Sequence, residues 1–356
     1  MTNPVWKNEA GFGFELQALY RRYGYIPYKM SRFEEYDLYV RNKDFLVSDQ
    51  IITFSDRSGR LLAMKPDVTL SIVKNAPEEP GVIQKVYYNE NVYRDYREIL
   101  QTGLECVGDL GDYEIAEVVL LAAKSLALLG ENWVLDISHM GLLAAVLEDS
   151  GLSPEDQQQA MEYLHRKNYH QLKTLCTDQL VWEKLSVIAA CHGGTEALEQ
   201  LSAVLTTEAE QDALQQLKGL WTVLEASGCA EKIRLDFSVG NNMRYYSGVV
   251  FRGYLEGIPA SVLSGGQYDK LPLKMGRKAK AIGFAIYLDL LQNRSRAKDA
   301  FDVDTLILHD GTADPMILTA AAEEAARDGT VLVTRQLPTG RTWKALRKFE
   351  KGVWVQ

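Results

Sequence analysis

Between residues 9 and 24 apolar side chains recur at helical spacing, with Phe14, Leu16, Leu19, Tyr20 and Tyr23 preceding Gly24. That spacing predicts an opening helix stopped by its glycine. From Tyr25 the texture changes, and short apolar runs at 51–55 and 61–64 flank the turn 56–59 as a β-hairpin would. Runs at 82–88 and 102–107 read as two more strands bracketing the polar segment 89–97. Residues 113–129 return to the helical period, carry many small side chains and stop at Gly130, so a long helix is expected across an antiparallel sheet.

One more strand is expected at 133–137. The stretch 143–229 is helix-forming almost throughout, with Ser153-Pro154 as a helix start and Gly193-Gly194 as a break. Strand texture resumes only at 233–239, 249–254 and 261–263, so the helical stretch reads as an insertion. A polar, basic segment at 292–300 marks a boundary. Beyond it a strand, a helix and two strands alternate in about 55 residues, short for an independent domain. The expected division is a core in two parts, 1–142 and 231–292, a helical insertion at 143–230, and a curtailed α/β piece at 301–356.

Composition changes this picture little. The 356 residues are 46% hydrophobic and 24% charged, as in ordinary globular chains. A formal charge of -9 argues against nucleic-acid gripping as the main task, since that rests on clustered Lys and Arg. Cys106, Cys176, Cys191 and Cys229 lack CxxC spacing, which fits reduced thiols rather than disulfides or zinc. Neither a signal peptide nor a membrane span of roughly 18 apolar residues is visible, and a cytoplasmic protein is expected. The five histidines show no metal-ligand spacing, so neither a metal nor a cofactor is expected.

The chemistry-bearing segments are Lys65-Pro66-Asp67-Val68-Thr69, Tyr93-Arg94, Gln101-Thr102-Gly103-Leu104-Glu105, Tyr245-Tyr246, the Gly265–Tyr268 run and the 281–291 run ending Tyr287-Leu288-Asp289-Leu290. Taken singly, each has a plain structural use. Asp67 can cap a helix starting at Thr69, Arg94 can serve a salt bridge, a tyrosine pair can pack a strand, and a GGxYD run can be a turn. Glu105 is less ordinary, because a carboxylate on an apolar strand is costly to bury unpaired.

Taken in order over residues 10–292, these segments resemble the histidyl-tRNA synthetases, a class II family. The resemblance implies an α+β fold, a mixed antiparallel sheet flanked by helices, and a homodimer built through the motif-one segment 27–41. It implies a pocket for histidine in which Asp67 and Thr69 take the ammonium and Gln101 and Glu105 hold the ligand, with Glu105 aimed at the imidazole. Arg94 would be a donor to the carboxylate or a phosphate. Tyr245, Tyr246 and the turn of Gly265, Gly266 and Tyr268 would close the pocket.

The departures matter as much. The synthetase arginine before the tyrosine pair falls on Asn241 and the neighbouring aspartate on Arg244. The last glycine, acid and arginine of the third motif fall on Tyr287, Asp289 and Leu290, and only Asp95–Leu100 replaces the long loop of the second motif. Adenylation needs guanidinium groups against the charge growing on the α-phosphate, and neither Asn nor Leu supplies one. In these losses the chain resembles the non-catalytic regulatory subunits of short-form ATP phosphoribosyltransferase. They bind the catalytic subunit in a hetero-oligomer and serve histidine feedback in the first step of histidine biosynthesis. A divergent histidyl-tRNA synthetase and a stand-alone histidine or tRNA sensor remain the alternatives.

Overall fold

Alternation along the strands decides the architecture. Tyr87, Leu104, Cys106, Ile282 and Phe284 point to one side, into the larger core, and Val86, Tyr88, Val107 and Ala281 point to the other, into a smaller one. A sheet buried on both faces follows. The computed structural model describes residues 5–46, 50–77, 79, 81–240, 245–291, 301–351 and 353–355. Its chain forms two compact units, Met1–Asn293 and Arg294–Gln356.

The first unit is organised by a nine-stranded sheet in the order Ile26–Pro27, Ile83–Arg94, Arg97–Gly108, Lys280–Tyr287, Leu263–Gln267, Val249–Leu255, Trp133–His139, Ile233–Asp236 and His192–Gly193. Two neighbour pairs are parallel, Ile26–Pro27 with Ile83–Arg94 and Trp133–His139 with Ile233–Asp236; the rest are antiparallel. Helices Val5–Arg22 and Asp112–Leu129 contribute to the larger core, the first through Phe12, Leu16 and Tyr20. The short helix Thr69–Lys74 lies on the other side, in the smaller core. Six helices from Met140–Glu148 to Glu208–Ala226 belong to this unit, and Ser153 Oγ accepts the Asp156 amide at 3.2 Å to start one of them.

The second unit has a four-stranded sheet in the order Val331–Thr334, Val303–His309, Trp343–Glu350, Val353–Val355, with helix Pro315–Asp328. Asp314 caps that helix by accepting the Met316 amide at 2.8 Å.

Several expectations need correction. Phe14 is 72% exposed, and Phe12 takes the core position instead. The polar segment 89–97 is strand, and the hairpin closes at Asp95-Tyr96, whose φ angles of 50° and 60° suit the right-handed twist of a two-residue turn. The Gly265–Gln267 run is no turn, because it forms the last three residues of strand Leu263–Gln267. Residues 237–239 form a 3-10 turn rather than strand. Strand Trp343–Glu350 escaped the sequence reading, since its run of charged residues lacks an apolar alternation. Asn241, Arg244 and the expected boundary at 292–300 lie outside the described residues.

Candidate ligand-binding site

On the smaller-core side of the sheet opens a cavity of about 470 Å³, and every residue named above for histidine binding or pocket closure lines it. Strand register explains why it is open. Glu105 stands opposite Gly283, Gly283 opposite Gly266, and Gly266 opposite Val250; one pleat further along, the row runs Gly103, Ala285, Ser264, Arg252. Residues in such rows share a face. The middle of the cavity floor, at Gly103, Gly283, Gly266 and Ala285, therefore carries almost no side-chain bulk, and the larger side chains of these strands stand at its ends.

Gly266 is needed for close approach: a Cβ there would meet the Tyr246 ring at 2.8 Å. Gly265 lines the cavity through its backbone, while a Cβ there would point to the opposite side and fall 2.4 Å from Phe284 Cβ, so its lack of a side chain serves the larger core. Tyr245 and Tyr246 precede strand Val249–Leu255 instead of lying on it. Their rings meet at 4.6 Å and 68°, and Tyr245 also stacks near Tyr268 at 5.7 Å and Phe45 at 5.6 Å, forming one aromatic wall.

The opposite wall is the 65–69 loop. Lys65, 1% exposed, pairs through Nζ with the Glu90 carboxylate, and its carbonyl accepts the Tyr93 amide at 2.9 Å. That pins the loop to the strand ending at Arg94. Asp67 Oδ1 accepts the Leu70 amide at 2.8 Å, so the helix-capping use is real. Oδ2 faces Arg94 at 3.6 Å, and Arg94 Nε donates to the Pro66 carbonyl at 2.7 Å. Arg94 is thus held by the same loop whose acid it neutralises.

Thr69 Oγ1 donates to Glu105 Oε1 at 2.7 Å, and the Tyr268 hydroxyl donates to Oε2. Burial still pushes the Glu105 carboxyl up to about 8 against those two bonds, with Asp67 adding to the rise. Burial raises Asp67 as well, opposed by Arg94 and the Leu70 amide. The hydroxyls of Tyr88, Tyr245 and Tyr268 are raised chiefly by burial, so they remain neutral donors. Gln101 is 2% exposed, and its Nε2 has no hydrogen-bond partner among the described residues. A buried donor without a partner costs about 1–3 kcal/mol, which a ligand oxygen would recover.

The sequence reading missed other members of the site. Phe45, Tyr88, Arg252, Ser261 and Ser264 also line the cavity, and Tyr287 enters it with its hydroxyl 2.8 Å from Ser264 Oγ. The available signal for Arg252 was its place in the apolar run VVFRGYL, where a charge must face a cavity or solvent. Among the described residues no cluster suits a metal ion, no cysteine is in a disulfide, and no helix is long and apolar enough to cross a membrane.

The sheet-floored cavity, with acids at one end and an aromatic wall, lies within residues 4–291, the stretch that the sequence profile of the histidyl-tRNA synthetases matches. The chain belongs to the histidyl-tRNA synthetase family. Within it, the chain is similar to an ATP phosphoribosyltransferase regulatory subunit from Oceanobacillus iheyensis, 30% identical over 291 residues, covering 78% of this chain and 71% of that protein. A solved ATP phosphoribosyltransferase regulatory subunit/histidyl-tRNA synthetase from Bacillus halodurans C superposes with a TM-score of 0.78 at 24% identity, over 98% of this chain and 95% of that one. A chain of the ATP phosphoribosyl transferase (HisG:HisZ) complex from Thermotoga maritima gives 0.62 at 18% identity, over 78% and 96%. Both likenesses establish the fold, α+β and class II synthetase-like.

Proposed function

We propose that this chain is a non-catalytic regulatory subunit of ATP phosphoribosyltransferase, acting in histidine biosynthesis by binding the catalytic subunit and conveying histidine feedback. The observation that carries the reading is the form of the cavity. Its amino-acid end is furnished with Asp67, Thr69, Gln101 and Glu105, while the adjoining hairpin is cut to the turn Asp95-Tyr96 and Tyr287 stands where the synthetase motif has glycine. The relative from Oceanobacillus iheyensis carries the same role in its name, and the Thermotoga maritima structure is a complex of this kind. Leu290 and Asn241 in place of the synthetase arginines agree with a lost adenylation step.

A subunit without chemistry of its own acts by binding one state of its partner better than another, and linkage then makes histidine bias the same equilibrium. A homodimer core belongs to this reading. Phe33 and Phe54, 44% and 37% exposed, stack at 5.1 Å on the small sheet that includes motif-one residues, an apolar face suited to a second copy. The test is co-purification with the catalytic ATP phosphoribosyltransferase of the same organism and assay of phosphoribosyl-ATP formation. A stable complex with raised, histidine-sensitive turnover is expected. Absence of a complex, or histidine-dependent ATP–pyrophosphate exchange on the order of 1 per second, overturns it in favour of a synthetase.

A further inference from the structure

At the end of the cavity away from Glu105 stands a guanidinium with no ion-pair partner among the described residues. Arg252 projects from strand Val249–Leu255 on the same face as Val250, half-buried, and forms no hydrogen bond or ion pair among the described residues. The carboxylate directly across from it is Asp136, on the neighbouring strand. That carboxylate is taken by Arg234, whose Nε and Nη2 reach its two oxygens at 2.8 and 3.1 Å. With both oxygens held there, Asp136 makes no ion pair with Arg252, which has no ionic partner among the described residues. A half-buried guanidinium that lines a cavity without an ion-pair partner is available to an anion, which it binds through charge-assisted hydrogen bonds.

The surroundings have the chemistry of an anion site. Ser264 is paired in register with Arg252, its hydroxyl is 2.8 Å from that of Tyr287, and Ser261 lines the same end. We propose that Arg252, Ser264 and Tyr287 form an oxyanion subsite, receiving the carboxylate or phosphate ester of an imidazole-bearing amine whose cationic end meets Asp67 and Glu105. Three strand spacings and one pleat repeat separate the backbones of Glu105 and Arg252, roughly 16 Å. The arginine side chain covers part of that span and the ligand the remainder, so the acidic end and the guanidinium together measure the ligand's length. None of these three residues was among those assigned to histidine by family resemblance.

The inference rests on the reading that the cavity takes a small histidine-like molecule, and it is independent of complex formation. The experiment is titration calorimetry on the full chain with three probes: L-histidine, which ends in a carboxylate, L-histidinol phosphate, which ends in a phosphate, and L-histidinol, which has neither. Arg252→Gln should weaken whichever acidic probe the wild type prefers by about tenfold to a hundredfold, leave L-histidinol unchanged, and be largely rescued by Arg252→Lys. Tyr287→Phe, which keeps the ring, should weaken the same probe more than L-histidinol and supplies the reading should Arg252→Gln fail to fold. The stronger acidic probe identifies the anion. Equal affinities in wild type and Arg252→Gln, an equal loss for L-histidinol, or no binding of either acidic probe by the wild type overturns the subsite. Gel filtration of the same variants with the catalytic subunit tests the regulatory reading separately, since a subsite failure leaves the complex intact.

Discussion

Glu105 lies directly over Gly283, so closely that a Cβ at position 283 would fall 1.7 Å from Oε2 and 2.4 Å from the carboxyl carbon. The two residues are partners across neighbouring strands, and the missing side chain of one is the seat of the other.

Gly283→Ala should therefore eject the Glu105 carboxyl from its bonds with Thr69 and Tyr268. The expected cost is about 1–3 kcal/mol for overpacking, accompanied by loss of histidine binding. Urea unfolding together with calorimetric titration checks this, and a variant with wild-type stability and affinity would show that Glu105 has another place to go.

Two of the buried groups contribute to the pH dependence of stability with opposite signs. Glu105 is raised from its ordinary 4.5 to about 8, so between those values the folded chain holds a proton that the unfolded one has released, and stability falls as pH rises. His139 is depressed from 6.5 to about 4, chiefly by burial with Gln216 opposing, so from 4 to 6.5 stability rises with pH. The two slopes oppose one another from 4.5 to 6.5, and the fall from 6.5 to 8 remains, about 1.4 kcal/mol per pH unit for one group. Glu105→Gln should flatten that upper limb in urea unfolding. A limb of unchanged slope would mean that another group carries it.

The hairpin turn is open to improvement. Tyr96 is 81% exposed and sits at φ 60°, a left-handed position that costs a side-chain-bearing residue about 1–2 kcal/mol. Tyr96→Gly should stabilise the protein by about 1 kcal/mol net of the added chain entropy. A lower urea midpoint would show that Tyr96 makes a contact worth more than its strain.

In the assembled enzyme, Glu105→Gln should leave complex formation and basal turnover intact while weakening histidine inhibition about tenfold or more. Inhibition curves for phosphoribosyl-ATP formation decide it. Superimposable curves would locate the regulatory histidine outside this cavity.

What was readable in the sequence divides along physical lines. Asp67, Thr69, Gln101, Glu105 and Tyr268 were legible because they occur in short local segments whose order matches one family, and the cavity brings them together. Arg252 and the true role of Gly265 were not. Each depends on which face a residue takes in a sheet assembled from distant strands, and one position of register reverses the answer. The glycines of strand Leu263–Gln267 misled for a related reason: their local preference is for turns, and pairing with Val249–Leu255 on one side and Lys280–Tyr287 on the other sets them in an extended strand. Strand Trp343–Glu350 was missed because its pairing with Val303–His309 comes from the assembled sheet, not from its own charged pattern.

The bare floor of the cavity bears on how such a protein changes occupation. Its amides and carbonyls are spent in the strand ladder, so the floor offers a visitor a surface but no vocabulary. What distinguishes one molecule from another stands around that bare patch, a rim made of the 65–69 loop, the Tyr245-Tyr246 pair and Tyr268 together with the strand side chains Gln101, Glu105 and Arg252, and each of these side chains can be replaced one at a time. A lineage could rewrite the rim without unpicking the sheet, discarding a reaction while retaining the chamber in which it took place.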